Sequence, residues 1–200
     1  MKNTLLIWTS NPGKIERRSS YFGDLFTILA LKDCDIDIDV EESMDDLEGN
    51  AIKKATTYAT LSGHMTLSED TGFYIHALDG QPWPAVRRWG GELPDSVSDA
   101  DLLAHIQQKL AHLHNPEAYF EYMVAIATPE GKVETISHKH HGYVDQNRLN
   151  NHYVSGYPLS NCFVNEFDGK TRSECTLEER TARDTAIISK IQEVLKKMSA

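Results

Sequence analysis

Residues 4–8 form a short apolar run of strand formers that stops at Thr9-Ser10-Asn11-Pro12-Gly13, where turn residues concentrate. From Lys14 the spacing turns helical, with Ile15, Tyr21, Phe22, Leu25 and Phe26 on one side, so strand, loop and helix are predicted in succession. Such a loop, opening a helix, suits an anion. Residues 33–40 alternate Cys34, Ile36, Ile38 and Val40 with four aspartates, the pattern of a half-exposed strand whose acids are solvated. A helix over 50–61 follows, with Ile52, Ala55, Tyr58 and Ala59 inward and Lys53 and Lys54 near its start. Residues 65–68 then read as a strand ending at Glu69-Asp70-Thr71-Gly72. That puts two carboxylates at a strand end before a glycine turn, where open α/β sheets place their chemistry.

Strand character resumes over 73–78, and residues 79–94 make a Gly-, Pro- and Trp-bearing loop containing Arg87-Arg88-Trp89, long enough to carry function. Ser98 or Asp99 caps a helix that buries Leu102, Leu103, Ile106, Leu110 and Leu113. Residues 119–128 and 132–138 form an antiparallel hairpin about Pro129-Glu130-Gly131, so the predicted sheet is mixed. Thr176-Leu177-Glu178-Glu179 matches a capping box for a closing amphipathic helix with Ile187, Ile188, Ile191, Val194, Leu195 and Met198 inward. The 200 residues hold one large α/β domain, or two lobes sharing a core.

Charge narrows the partners. Twenty basic against thirty acidic residues leave a net charge of −10, which argues against nucleic acid and against an anionic membrane surface. A small anion arriving with a divalent cation remains compatible, because carboxylates hold the metal while a few bases hold the phosphates. The cysteines, Cys34, Cys162 and Cys175, are too few and too scattered for a disulfide framework, and no apolar run reaches the 18 or so residues of a membrane span. A cytoplasmic protein is expected.

Neither G-x-x-x-x-G-K-[ST] nor G-x-G-x-x-G is present. What remains is a phosphate-sized loop lined by Thr9, Asn11 and Lys14, with Glu42, Glu69 and Asp70 as hard oxygen donors of the kind Mg²⁺ prefers. His138, His140 and His141 invite a zinc reading, but no carboxylate or cysteine stands at a fixed spacing, and a solvated strand is the simpler account. Trp83 and Trp89 are equally suited to stacking on a base and to packing their loop.

The segments Thr9-Ser10-Asn11-Pro12-Gly13-Lys14, Glu41-Glu42, Asn50-Ala51 with Lys54-Ala55, and Glu69-Asp70-Thr71-Gly72 through Leu78-Asp79-Gly80-Gln81-Pro82 to Arg88 occur in this order. Gly169-Lys170-Thr171, Glu174 and Glu178-Glu179 follow. Together they resemble the inosine triphosphate pyrophosphatase, or Ham1-like, family. The resemblance implies an elongated, two-lobed α/β fold with a mixed sheet and a central cleft, a homodimer, and Mg²⁺-dependent cleavage of a nucleoside triphosphate to monophosphate and pyrophosphate, with Mn²⁺ as a substitute ion. It implies that Asn11, Lys14 and Lys54 hold the triphosphate with help from Thr9 and Arg88. Glu42, Glu69 and Asp70 would bind metal, and Asp70 would activate water.

The chain departs from the family pattern where the base is read. The family's Gly-Phe-Gly-Tyr-Asp-Pro appears as Gly156-Tyr157-Pro158-Leu159-Ser160-Asn161, and its Ser-His-Arg run as Asp184-Thr185-Ala186. Tyr157, Ser160 and Asn161 are the base-side candidates, with Arg180 and Arg183 as replacement donors. The runner-up is a catalytically silent nucleotide-binding or sensing protein on the same scaffold, which leaves a water-activating aspartate beside metal ligands without a purpose.

Overall fold

A computed structural model describes residues 2–9, 12–41, 46–94, 96–149, 152–154 and 157–199, with the side chains of positions 12–14 and 17 left aside. The strands are β1 (Asn3–Trp8), β2 (Phe26–Ala30), β3 (Met65–Ile75), β4 (Pro82–Trp83), β5 (Glu117–Ala127), β6 (Val133–Val144) and β7 (Phe163–Asn165). The α-helices are α1 (Pro12–Phe22), α2 (Leu47–Ser62), α3 (Asp99–Leu110) and α4 (Leu177–Met198). The sheet is mixed, in the order β2-β1-β3-β5-β6-β7 with β4 on β3; β1 is parallel to β2 and β3, whereas β4 and β7 pair antiparallel. The chain divides into two compact units.

The first unit comprises Met1–Asp70, Tyr122–His138 and Ala186–Ala200. Its strands separate two apolar layers because side chains alternate across a sheet. Leu5, Ile7, Met65 and Leu67 pack with Tyr21 and Phe22 of α1 and with Ile187, Ile191 and Leu195 of α4. Leu6 packs with Tyr58 of α2, against which Trp8 also lies. Three α2 alanines, Ala51, Ala55 and Ala59, meet Ala125 and Ala127, and small side chains on both surfaces let helix and sheet approach closely. Asp46 caps α2 by accepting from the Glu48 N–H, and Gly63 ends it in the left-handed conformation that glycine adopts without cost.

The second unit comprises Thr71–Glu121 and Lys139–Thr185. Its core gathers Phe73 and Ile75 of β3, Leu102, Leu103, Ile106 and Leu110 of α3, and Trp89, Leu159, Cys162 and Phe163. Ser98 caps α3, accepting from the Asp101 N–H at 3.1 Å. The predicted capping box of α4 is formed, with Thr176 N–H donating to Glu179 and Glu179 N–H to the Thr176 hydroxyl.

Three local expectations are corrected. The helix that starts after the first loop ends at Phe22, and Phe26 opens β2 instead of extending it. Residues 34–40 form no strand; Cys34 and Ile36 lie against the α2-side core, Val40 is buried, and Ile38 is 52% exposed. Strand β3 runs through residues 69–72 without a turn. Gly72 is there for room, since a Cβ would stand 2.7 Å from a ring carbon of Tyr74.

Candidate active site

Alternation along β3 decides what each acid can meet. Leu67 and Glu69 face the layer of α1 and α4, whereas Ser68 and Asp70 face α2, where the Ser68 hydroxyl donates to the Ala51 carbonyl at 2.6 Å. Glu69 is buried and ion-paired with Arg18 of α1, itself 5% exposed. Asp70 is the more open acid, its side chain 16% exposed, with Oδ1 3.4 Å from Nζ of Lys54. The two neighbouring carboxylates thus serve opposite faces and different cations, and the strand does not bring them together.

Lys54 is 1% exposed, so its ammonium needs compensation that water cannot supply. Asp70 provides charge, and the Trp8 indole, 4.7 Å from Nζ to ring centroid, provides a π face. Trp8 is held in turn by stacking on Tyr58, whose hydroxyl donates to the Ile38 carbonyl at 2.6 Å. Lys53 donates to the Glu41 carbonyl at 2.7 Å, fixing the last described residue before Glu42 against α2. Glu42 and Asn11 lie outside the described residues. Thr9 follows directly on β1, and Lys14 sits in the first turn of α1, its side chain not described.

In the second unit Arg88 caps a 3-10 turn, Trp89–Gly91, and its carbonyl accepts from the N–H groups of Gly91 and Leu93. Tyr157 lies under the Arg172 guanidinium at 5.0 Å. Ser160 is buried and accepts from the Val154 N–H at 2.9 Å, while Asn161 donates to the Arg148 carbonyl and accepts from Ser173. Arg180 donates twice to the Cys175 carbonyl. Arg183 forks onto Asp168 at 2.7 and 2.6 Å and reaches the Lys170 carbonyl and the Cys175 sulfur. Ser160, Asn161, Arg180 and Arg183 are therefore each engaged by hydrogen bonds within the segment before α4 and the start of that helix. Trp89 is core, packed edge-on to His105, whereas Trp83 is 40% exposed. His140 faces Asp184 at 3.5 Å, and among the described residues no three His, Cys, Asp or Glu groups gather as a metal site.

Burial pushes the Asp168 carboxyl up, but the Arg183 fork and the Lys170 N–H pull it further down, leaving it below its ordinary value. A carboxyl depressed in the folded state contributes stability above its unfolded pKa and loses it as pH falls through the folded value. Arg183→Met is expected to lower the urea midpoint at pH 7 and to flatten its fall below about pH 4. An unchanged acid limb would show that the fork contributes nothing to stability.

Sequence reasoning missed Arg18, Trp8 and Tyr58. Arg18 had a signal: it lies three residues after Ile15 and four before Phe22, on the stripe where α1 is otherwise apolar.

The fold and this carboxylate–lysine centre define a mixed-sheet α/β protein whose third strand, parallel to β1, carries the acids. The Ham1 family model matches residues 5–199, and the chain belongs to that family. It is 34% identical over 180 residues, 89% of this chain and 88% of the other, to a dITP/XTP pyrophosphatase of Geobacter sulfurreducens. A dITP/XTP pyrophosphatase of Exiguobacterium sp. is 29% identical over 198 residues, 98% of this chain and 95% of the other. Among solved structures, the Ham1 protein of Staphylococcus aureus superposes with a TM-score of 0.80 at 22% identity, covering 98% of this chain and all of the other. That of Coxiella burnetii gives 0.81 at 19%, covering 98% and 99%. The α/β, mixed-sheet expectation holds. No helix among the described residues is long and apolar enough to cross a membrane.

Proposed function

We propose that the chain is a nucleoside triphosphate pyrophosphohydrolase that cleaves a deaminated purine nucleotide to monophosphate and pyrophosphate. The observation that carries this reading is the pair formed by Asp70, partly open on the α2 face of β3, and Lys54, a buried lysine directed at it. Relatives matched along nearly their whole length are dITP/XTP pyrophosphatases, which supplies the substrate class.

Asp70 is the group that accepts the proton of the attacking water, and the α–β anhydride breaks as the new P–O bond forms. Lys54 stays beside it and meets phosphate oxygens, while Lys14 at the start of α1 and Arg88 bind the remaining charge. Mg²⁺ fits this donor chemistry, since Asp70 is a partly open carboxylate and Mg²⁺ needs only one or two carboxylates besides phosphate and water. Asp70 and Glu42 would hold it, and it would neutralise charge developing at the phosphorus. The base meets Tyr157, Ser160 and Asn161, and the homodimer implied by the family completes the reading.

A screen of all standard and deaminated nucleoside triphosphates with Mg²⁺, Mn²⁺ or Zn²⁺, resolving pyrophosphate from orthophosphate, tests it. Pyrophosphate release from the inosine and xanthosine forms, dependent on Mg²⁺ or Mn²⁺, is expected. Because Arg180 and Arg183 are engaged within their own corner, selectivity over ATP should fall short of the roughly 10⁴-fold reached by sites built to hydrogen-bond their substrate. Binding without turnover would favour the silent nucleotide binder, and orthophosphate as sole product would refute the reaction.

A further inference from the structure

Arg18 and Glu69 form an ion pair on the α1 face of β3, and neither phosphate binding nor water activation uses it. Both side chains are almost wholly buried, 6% and 5% exposed, in a layer otherwise built from Phe22, Leu67, Ile187 and Ile191. Apolar residues would fill that space at least as favourably, so stability is a poor explanation for two charges here. What a guanidinium on a carboxylate adds is direction.

Its placement gives that direction a use. Arg18 stands one helical turn after Lys14 on the same rigid helix, and Glu69 immediately precedes Asp70 on the strand. Tying Arg18 to Glu69 therefore fixes the spacing between the helix start that carries a phosphate-binding lysine and the strand position that carries the base. The tie also fixes strand rotation, for with Glu69 drawn to α1 the next side chain must face α2, where Lys54 waits. We propose that Arg18 is a positioning residue of the active site, and that Glu69 is its anchor and not a ligand of the metal. This inference rests on the pyrophosphohydrolase reading.

The test compares Arg18→Met, Arg18→Lys, Glu69→Gln and the double variant Arg18→Met/Glu69→Gln in the full chain. It measures kcat and KM, the half-saturating Mg²⁺ concentration, and calorimetric Mn²⁺ binding in the presence of an α,β-methylene triphosphate. Positioning predicts a kcat loss of about 10- to 100-fold in Arg18→Met and in Glu69→Gln, with KM and both metal constants within about threefold of wild type. The double variant should lose no more than the worse single, because the two residues act as one unit. Arg18→Lys, which keeps the charge and is the variant least prone to unfold, should recover part of the loss. The proposal is overturned if Glu69→Gln weakens Mn²⁺ binding tenfold or more while Arg18→Met does not, for Glu69 is then a metal ligand. It is equally overturned if Arg18→Met and Arg18→Lys both keep kcat within twofold. A wild-type protein that releases pyrophosphate from no nucleotide refutes the underlying reading instead, so the two failures are distinguishable.

Discussion

Asp70→Asn is expected to lower kcat by about 10²- to 10⁴-fold, the range contributed by a well-placed general base, while triphosphate binding stays within a few-fold of wild type. The amide has the shape of the carboxylate and can still accept from Lys54 through its oxygen, but it takes no proton from water. Binding should be spared because the cations proposed to hold the phosphates stand on other elements, Lys14 on α1 and Lys54 on α2. The neutral amide leaves the buried Lys54 ammonium with less compensation, so some stability is lost. Asp70 is partly open and Trp8 still covers the ammonium, which limits that loss to about 1 kcal/mol, or roughly 2–4 °C in Tm for a chain of this size. Pyrophosphate release, calorimetric binding of a non-hydrolysable triphosphate and a thermal melt separate the effects. A variant that turns over within threefold of wild type removes Asp70 as the base; one that melts far below wild type makes it a structural residue.

The parts of this molecule legible in its sequence are those where one local rule acts without competition. The α3 and α4 helices announce themselves through capped starts and apolar stripes, and the hairpin of β5 and β6 through Gly131, whose φ of +92° the turn requires. Strand β2 was hidden because Leu25 and Phe26 continue the helical spacing of α1, and only three residues separate the two elements. Alternation at residues 33–40 misled for the opposite reason. It records which side chains lie against the core, and a segment with no neighbouring strand to bond can alternate as well as one inside a ladder.

The site divides along the same line. Asp70 and Lys54 were legible as residue types in an ordered set of motifs, but their approach to one another was not, since it depends on how α2 seats on the sheet, its alanines meeting Ala125 and Ala127 of β5. The turn expected at Gly72 would have left Glu69 and Asp70 free to converge. A continuous strand sends them to opposite faces, and that single difference in local structure separates an acid beside Lys54 from an acid paired with Arg18. At the base-side corner, a count of donors from sequence overlooks the backbone: Cys175 presents a carbonyl that engages Arg180, and Lys170 one that engages Arg183.

Trp89→Ala is expected to cost about 3–5 kcal/mol, the usual loss for truncating a buried aromatic, whereas Trp83→Ala should cost little because Trp83 is 40% exposed. Trp89 is 1% exposed and packs with Ile106, Leu102 and His105 of α3, so its removal opens a cavity that rigid helix and strand neighbours close only in part. The effect extends to function through the adjacent residue. Arg88 is held by hydrogen bonds from Gly91 and Leu93 to its carbonyl, and that turn begins at Trp89, whose side chain is buried in the core. Loosening it should raise KM for every triphosphate alike, since Arg88 is proposed to meet phosphate and not base. Trp89→Phe supplies the control. It keeps a ring in the core and removes an indole N–H that meets no acceptor among the described residues, so urea unfolding should find it far closer to wild type than Trp89→Ala. If Trp83→Ala, and not Trp89→Ala, raised KM in a base-dependent way, stacking on the nucleotide would belong to the exposed tryptophan, and the buried one would serve the core alone.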